Sequence, residues 1–456
     1  MRNAIALVLF LMFIPVLGIA EDSSPNILLI IADQHTGSVM SQRGYSHVTT
    51  PGIDKIADAG VTFTRAYTPY PVCKAFRKSM MTGVMPSQLD DPTQYPSIGK
   101  TLSEAGYETV YHGKWHVGET RIHNSADWHG FETYDGRQRD TTTRERVVDF
   151  IRQEHDKPFF LVTSFMNPHD ACELARRMSG IDDDYKDVPI DEDIPVELTP
   201  PLPANFEIPP NEAEGFSLRR GSEPGTNMFE KHPTKYWTKD QWRQYMYGYD
   251  RLLEMVDAHI KLVIDELEAQ GLLEDTVIIY TSDHGDGHAA HKWNQKMTFY
   301  EEAINVPFIV SWKGKTKAGY LDEQTLLSNG LDIFPTILRF AGVPVPDSLH
   351  GVDLTPQVLA GFVGESLPER TFVVSEINQA EFKGRMVVTQ DFKYILFDGG
   401  ENPEQLFDLA NDPGELRPVS DKPEYRDQLL AHRNMLVEWH DRIEDDDFDP
   451  AANFPD

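Results

Sequence analysis

Asn26-Ile27-Leu28-Leu29-Ile30-Ile31-Ala32 is an unbroken apolar run that ends in Asp33-Gln34. A run of aliphatic residues without polar alternation is typical of a central strand that is buried on both faces of a sheet. Residues 159–165 and 276–282 have the same character, and helical patterns lie between the three runs. The sequence therefore predicts an α/β fold, in which a large, mixed and mostly parallel sheet is sandwiched by helices.

The pattern changes after Gly351. Three short strand-like runs and one helical pattern follow, at residues 371–374, 385–389, 393–397 and 424–443. Short strands separated by turns predict a smaller antiparallel sheet, here followed by one helix. We therefore expect a catalytic domain at residues 21–350 and a C-terminal subdomain at residues 351–456.

Residues 180–237 interrupt the larger domain. They are rich in proline and acidic residues and show almost no periodicity. A long irregular segment inside a globular domain is usually either disordered or a functional loop. We interpret this segment as an irregular insertion that covers the active site.

The composition limits the classes of partner. Among 456 residues, 73 are acidic and 42 are Lys or Arg, which gives a formal net charge of −31. Such a charge argues against a broad, non-specific grip on nucleic acid or on anionic membranes. An anionic substrate would have to be attracted by a local cationic pocket.

The first 20 residues predict export. Arg2 is followed by an apolar run from Ala4 to Leu17 and by the small-residue segment Gly18-Ile19-Ala20. This order is that of a secretory signal peptide, with an uncleaved anchor as the alternative. No other segment is long and apolar enough to cross a bilayer, so we expect a periplasmic or secreted protein without stable membrane insertion.

Polar residues follow the predicted central strands and could hold a cation. Asp33 and Gln34 follow the first run, and Asp283 and His284 follow the third. Loops at strand ends in such sheets are where ligands bind. Oxygen ligands favour Ca²⁺ or Mg²⁺, whereas an imidazole shifts the preference toward Mn²⁺ or Zn²⁺.

Basic and nucleophilic residues cluster in the remaining motifs. Cys73 and Arg77 lie at the start of a predicted helix, where free backbone N–H groups favour an anion. Four further candidates supply positive charge or proton transfer near neutral pH: Lys114, His116, His169 and Lys296. With the cation, these groups predict metal-assisted hydrolysis of a phosphate or sulfate ester, without deciding between the two.

The chain contains two cysteines, Cys73 and Cys172. Two are too few for a disulfide framework, even in an exported protein. A single bridge between them is the alternative to a functional Cys73, because it would consume the thiol.

Several motifs resemble the type I sulfatases of the alkaline phosphatase superfamily. They are Asp33 after the first strand, Cys73-x-Ala75-x-Arg77 with Thr82-Gly83, Gly106-Tyr107-x-Thr109 to Gly113-Lys114-x-His116, Ser282-Asp283-His284-Gly285, Lys296, Tyr300-Glu301-Glu302, and Gln405-Leu406-Phe407-Asp408-Leu409 with Asn411-Asp412-Pro413. They occur in the family's order from about residue 24 to the tail. The resemblance implies an alkaline phosphatase-like fold and sulfatase activity.

The resemblance also implies a cofactor set. A formylglycine-generating or anaerobic maturation enzyme would convert Cys73 to formylglycine, whose hydrated form attacks sulfur. The metal ligands implied are Asp33, Gln34, residue 73, Asp283 and His284. Calcium is the expected ion, with Mn²⁺ or Mg²⁺ as alternatives.

Catalytic roles follow from the same resemblance. Arg77 and Lys114 would orient and activate the nucleophile, and His116 would take the proton that releases sulfate. His169 and Lys296 would contact the sulfate or protonate the leaving oxygen. The expected substrate is a sulfated carbohydrate that is cleaved by exo-action, as in carbohydrate sulfatases of polysaccharide-degrading bacteria.

The sequence departs from the common family pattern at three places. Ala75 replaces the usual proline of the maturation motif, as in substrates of anaerobic maturases, and Val84 replaces an arginine. The pairs Asp33-Gln34 and Asp283-His284 are similar to those of choline-sulfatase-like and phosphonate monoester hydrolase members. The alternatives are therefore a phosphonate or phosphate ester hydrolase, and a non-catalytic exported protein that binds sulfated glycans.

Overall fold

The computed structural model describes residues 24–118, 124–136, 139–180, 188–191, 194–217, 220, 234–362, 370–378 and 382–455. The predicted signal peptide and residues 181–187, 192–193, 218–219 and 221–233 of the insertion lie outside them. The strands of the described ranges are β1 Asn26–Asp33, β2 Gly60–Phe63, β3 Ala66–Tyr67, β4 Glu108–Gly113, β5 Thr133–Asp135, β6 Phe159–Pro168, β7 Thr276–Ser282, β8 Phe308–Trp312, β9 Tyr320–Asp322, β10 Leu327–Ser328, β11 Val373–Ile377, β12 Gly384–Val388, β13 Phe392–Phe397 and β14 Glu404–Asp408. The α-helices are α1 Pro51–Asp58, α2 Cys73–Thr82, α3 Ile98–Glu104, α4 Ala126–His129, α5 Asp140–Ile151, α6 Ala171–Met178, α7 Glu214–Ser217, α8 Lys239–Ala269, α9 Glu301–Ile304, α10 Asn329–Phe340, α11 Thr355–Val358, α12 Arg426–Ile443 and α13 Pro450–Asn453.

The large sheet confirms the predicted α/β architecture. Its strand order, within the described residues, is β5-β4-β6-β1-β7-β8-β2-β9. In this order the first five strands, β5, β4, β6, β1 and β7, run parallel to one another. β8 is antiparallel to both of its neighbours, β7 and β2. The pairing aligns Ala32 with Ser282 and Asp33 with Pro168, so β1, β6 and β7 end at the same edge of the sheet.

β1 is buried on both faces, as its composition predicts. Ile27, Leu29 and Ile31 face a core that contains residues of α2, α3 and α10. Leu28 and Ile30 face a second core, which contains residues of α1, α5 and α8. Each face of the sheet is therefore covered by helices, which explains why the strand has no polar alternation.

α2 begins at Cys73, after Val72 in extended conformation. Val72 provides no side-chain cap, so the first backbone N–H groups of the helix stay available. The helix ends at Thr82 and is followed by Gly83, whose φ of 70° is left-handed and whose N–H donates to the Ser79 carbonyl. Its buried residues Phe76 and Met80 fix it against the core, and so fix the position of Cys73.

The C-terminal region confirms the predicted small antiparallel sheet and its long helix, α12, whereas the short helices α11 and α13 were not predicted. Its strand order is β11-β12-β13-β14, and every neighbouring pair is antiparallel. Leu436 and Trp439 of α12 share a core with Val387 and Leu396. β14 is a fourth strand that the sequence reasoning did not identify. The proposed domain boundaries remain predictions.

Within the described ranges, every helix is too short or too polar to serve as a membrane span.

Candidate active site

Four parallel strands deliver polar residues to one edge of the sheet. Asp33 ends β1, and Asp283 directly follows β7. Lys114 follows β4 and His169 follows β6. α2 then brings Cys73 to the same place, because its thiol lies 3.6 Å from Asp33 Oδ1.

Four buried side chains meet here as potential metal ligands. One ligand atom from each of Asp33, Cys73, Asp283 and His284 lies within 4.8 Å of the others. The Cys73 sulfur is 3.1 Å from His284 Nε2. Two carboxylates and an imidazole, grouped around residue 73, form a donor set that suits a divalent cation.

The electrostatics of the two carboxylates support this fit. Burial and Cys73 act to raise the pKa of Asp33, but Lys114, His169 and Arg77 outweigh them and hold it well below its usual range. Burial and the neighbouring Asp33 raise the pKa of Asp283 to about 7. Two buried carboxyl groups this close repel each other when both are ionised, and a divalent cation would stabilise that state.

Arg77 is fully buried and joins the two carboxylates to the strands. Its Nη2 lies 3.1 Å from Asp33 Oδ2 and 3.2 Å from Asp283 Oδ2. Its Nη1 donates to the Lys114 carbonyl at 2.7 Å and to Ser164 Oγ at 2.8 Å. The guanidinium therefore holds the ends of β1, β4, β6 and β7 in one arrangement.

Two ammonium groups converge on the Cys73 sulfur. Lys296 Nζ lies 3.1 Å and Lys114 Nζ 3.8 Å from it. Burial acts to raise the pKa of Cys73, but Lys114, Lys296 and His284 together lower it well below its usual value. This position therefore favours a negatively charged group, as a sulfate ester would supply.

The two candidate histidines both hydrogen-bond to the Cys73 thiol. His169 is half-buried, and its Nε2 is 3.2 Å from Lys296 Nζ. Burial, Lys114 and Lys296 lower the pKa of His169 to about 4, so its imidazole is neutral at neutral pH. His116 is exposed, has a left-handed φ of 47°, and hydrogen-bonds to Cys73.

Gln34 lies beside the donor set but has other partners. Its N–H donates to Asp283 Oδ1 at 3.1 Å, and its Nε2 donates to Asp286 Oδ2 at 2.7 Å. Its Oε1 accepts from the Cys172 thiol at 3.5 Å. The metal-ligand role of Gln34 remains a prediction.

Asp286 is a buried residue of the site that the sequence analysis did not identify. Besides Gln34, its Oδ2 accepts from Tyr245 Oη at 2.7 Å and from the Gln295 N–H at 3.0 Å. It therefore joins the ends of β1 and β7 to α8. The available signal was its place in Asp283-His284-Gly285-Asp286, directly after a buried strand.

Cys73 and Cys172 are both free thiols. The alternative of a bridge between them, which would have removed the nucleophile, is therefore wrong for this structure. The structure thus brings together Asp33, Cys73, Arg77, Lys114, His116, His169, Asp283, His284 and Lys296 around one position, with Gln34 adjoining it.

Residues 25–343 match the family model for sulfatases. The chain belongs to the sulfatase family. Residues 289–441 of this sulfatase also match the model for the C-terminal part of N-sulphoglucosamine sulphohydrolase. The resemblance that the motifs suggested is thereby confirmed, and the protein is an enzyme that hydrolyses sulfate esters.

The relatives agree with this assignment. The sulfatase is 29% identical to a Delta 4,5-hexuronate-2-O-sulfatase of Bacteroides thetaiotaomicron, over 92% of this chain and 90% of the relative. A solved 2-O GAG sulfatase superposes with a TM-score of 0.80 and 27% identity, over 94% of this chain and 96% of that one. The phosphonate monoester hydrolase of Agrobacterium radiobacter has a TM-score of 0.73 and 22% identity, over 92% and 96% of the two chains, and at that identity it shows the fold alone.

Proposed function

We propose that this sulfatase removes sulfate from a sulfated carbohydrate by exo-action, with formylglycine formed from Cys73. The observation that carries the proposal is the position of the Cys73 sulfur, 3.1 Å from both His284 Nε2 and Lys296 Nζ. One side chain thus adjoins both the cation ligands and an ammonium group that can hold a sulfate oxygen.

The carbohydrate part of the proposal draws on the relatives. The Bacteroides relative is named for a hexuronate and the solved relative for GAG chains. Because the net charge of the protein is −31, an anionic substrate must be attracted by a local group of basic residues and not by the protein as a whole. Lys114 and Lys296 supply that local attraction at residue 73.

Each residue of the site has a proposed task. A cation held by Asp33, Asp283, His284, Gln34 and residue 73 would supply positive charge that polarises the sulfate group. Formylglycine would supply a hydrated aldehyde, one hydroxyl of which attacks sulfur while the other allows sulfate to leave.

The remaining side chains orient groups and move protons. Arg77 fixes the two carboxylates, and Lys114 and Lys296 hold the oxygens near residue 73. His116 lies beside residue 73 and is the proposed acceptor of the proton from the remaining hydroxyl, whose loss releases sulfate and restores the aldehyde. His169 is the proposed contact of the leaving oxygen. Its Nε2 hydrogen-bonds to Lys296 Nζ, and this ammonium group lies beside residue 73.

Calcium is the proposed ion, because four of the five ligand side chains, counting formylglycine at residue 73, provide oxygen atoms. The imidazole of His284 keeps Mn²⁺ as an alternative, together with Mg²⁺. The metal content of the purified, matured enzyme distinguishes these ions.

Export and maturation complete the proposal. The signal-peptide pattern supports a periplasmic or secreted enzyme, which the mass of the mature protein would test through loss of residues 1–20. Ala75 in the maturation motif supports conversion by an anaerobic maturase. The enzyme for assay is therefore best produced in a host that carries such a maturase.

A substrate panel tests the function. We expect desulfation of sulfated uronate- or hexosamine-containing oligosaccharides, with kcat/KM at least about 100-fold above that for phosphonate monoesters. Saccharides sulfated only on internal residues serve as the control for exo-action, and we expect them to react slowly. Turnover of phosphonate or phosphate esters alone would instead establish the hydrolase alternative, and absence of any turnover by converted protein would favour a binding protein.

A further inference from the structure

A second group of metal-ligating side chains lies outside the active site. Ligand atoms of His291, Glu302 and Glu415 lie within 4.8 Å of one another. His291 and Glu415 are fully buried, and Glu302 is half-buried. Ligand atoms about 2.1 Å from a zinc ion lie at most about 4.2 Å apart, so a small contraction would close this group around an ion.

The hydrogen bonds of this group leave coordination capacity unused. Asn205 Nδ2 donates to Glu302 Oε1 at 2.9 Å and approaches His291 Nε2 at 3.4 Å. The other carboxylate oxygen, Glu302 Oε2, is buried and has no hydrogen-bond partner among the described residues. A buried carboxylate oxygen without a partner costs stability, and a cation would satisfy it.

The local charge is also unbalanced. The ammonium of Lys393 lies 2.6 Å from Glu415 Oε1 and 2.8 Å from Glu301 Oε1. Arg220 forms an ion pair with Glu212, which in turn accepts from Tyr300 Oη. Counted with Glu302, these six side chains comprise four carboxyl groups and two cations, so carboxyl groups are in excess around this group.

A cavity gives access to this group. Glu302 lines a cavity of about 440 Å³, which offers a path for an ion.

We propose that His291, Glu302 and Glu415 form a second divalent-cation site that prefers Zn²⁺. One nitrogen and two carboxylate ligands suit zinc better than calcium or magnesium. The site joins three parts of the chain: the insertion through Asn205, the loop between β7 and α9 through His291, and the C-terminal subdomain through Glu415. That loop carries Lys296, so zinc would hold it in place without taking part in the reaction.

Zinc content, measured in the full-length protein, tests the site. The measurement uses the Cys73→Ala variant, which lacks the active-site thiol, and excess Ca²⁺, which occupies the active-site ligands. Both conditions keep zinc from binding at the active site. After incubation with Zn²⁺ and gel filtration, we expect about one bound zinc per chain and a raised unfolding midpoint. His291→Phe, which can keep the ring stacking on Tyr300 at 3.7 Å, and the isosteric Glu302→Gln should each lose that zinc and the shift.

His432→Phe is the matched control, because His432 is also a buried histidine but lies in the C-terminal subdomain away from this group. It should bind zinc as the parent protein does. Equal zinc content in the parent, His291→Phe and Glu302→Gln, or none in the parent, would overturn the proposal. If His291→Phe does not fold, Glu302→Gln decides. Because zinc content does not depend on turnover, this outcome is independent of the proposed sulfatase substrate.

Discussion

Replacement of Cys73 with alanine is expected to lower kcat by at least about 10⁴-fold, with little change in the fold. The methyl group can neither be converted to formylglycine nor attack sulfur. The flanking charges of Lys114 and Lys296 remain, so substrate binding should survive better than turnover. Steady-state kinetics on the preferred sulfated saccharide measures the effect, and mass spectrometry of the peptide that contains residue 73 reports conversion.

Cys172→Ser is the control for this prediction. Cys172 is the other buried cysteine, and a hydroxyl can still donate to Gln34 Oε1. This variant should retain most of the activity. Its residue 73 peptide should be lighter than the thiol form by about 18 Da, as in the wild type. Activity of Cys73→Ala above one hundredth of the wild-type level would show that residue 73 is not the nucleophile.

The site residues at the strand ends were predictable, because each of these polar residues stands directly at the end of its apolar run in the sequence. Asp33 and Asp283 directly end buried runs, and parallel pairing of β1 with β7 makes those ends coincide. Local sequence thus identified two of the candidate ligands before any tertiary information. These partners of Gln34 were not predictable: Tyr249 of α8, whose hydroxyl donates to the Gln34 carbonyl, and Cys172 of α6.

The loop between β7 and α9 was less predictable, and the reason is conformational. Six of its non-glycine residues have left-handed φ values, namely His288, Ala289, His291, Lys292, Gln295 and Met297. Glycine or asparagine is the usual signal for such a backbone, and it is missing at these positions. Tertiary contacts impose the conformation instead, including the His291 N–H bond to the Asn205 carbonyl at 2.7 Å. The position of Lys296 beside Cys73 therefore followed from the family resemblance and not from local pattern.

Arg77→Ala is expected to abolish measurable activity and to lower the free energy of unfolding by about 3–5 kcal/mol. Arg77 is fully buried between Asp33 and Asp283, so its removal leaves two buried carboxylates without their shared counter-charge. The carbonyl of Lys114 and the hydroxyl of Ser164 lose a donor as well. Chemical denaturation and kinetics of the converted variant measure the two effects.

Two further variants test whether these losses come from the buried position of Arg77 or would follow from the removal of any arginine. Arg152→Ala removes a largely exposed arginine that pairs with Glu266 on the surface, and it should lower the free energy of unfolding far less than Arg77→Ala does. Arg77→Lys keeps the charge, but one ammonium group cannot reach both carboxylates together with the Lys114 carbonyl and the Ser164 hydroxyl. Stability should therefore recover in part, while kcat stays at least about 100-fold below the wild-type value. Added Ca²⁺ should stabilise Arg77→Ala more than Arg152→Ala, because the buried carboxylates of Asp33 and Asp283 then have lost the Arg77 charge and depend on Lys114 and the cation. Equal stability of Arg77→Ala and the wild type would contradict the view that a buried guanidinium assembles this site.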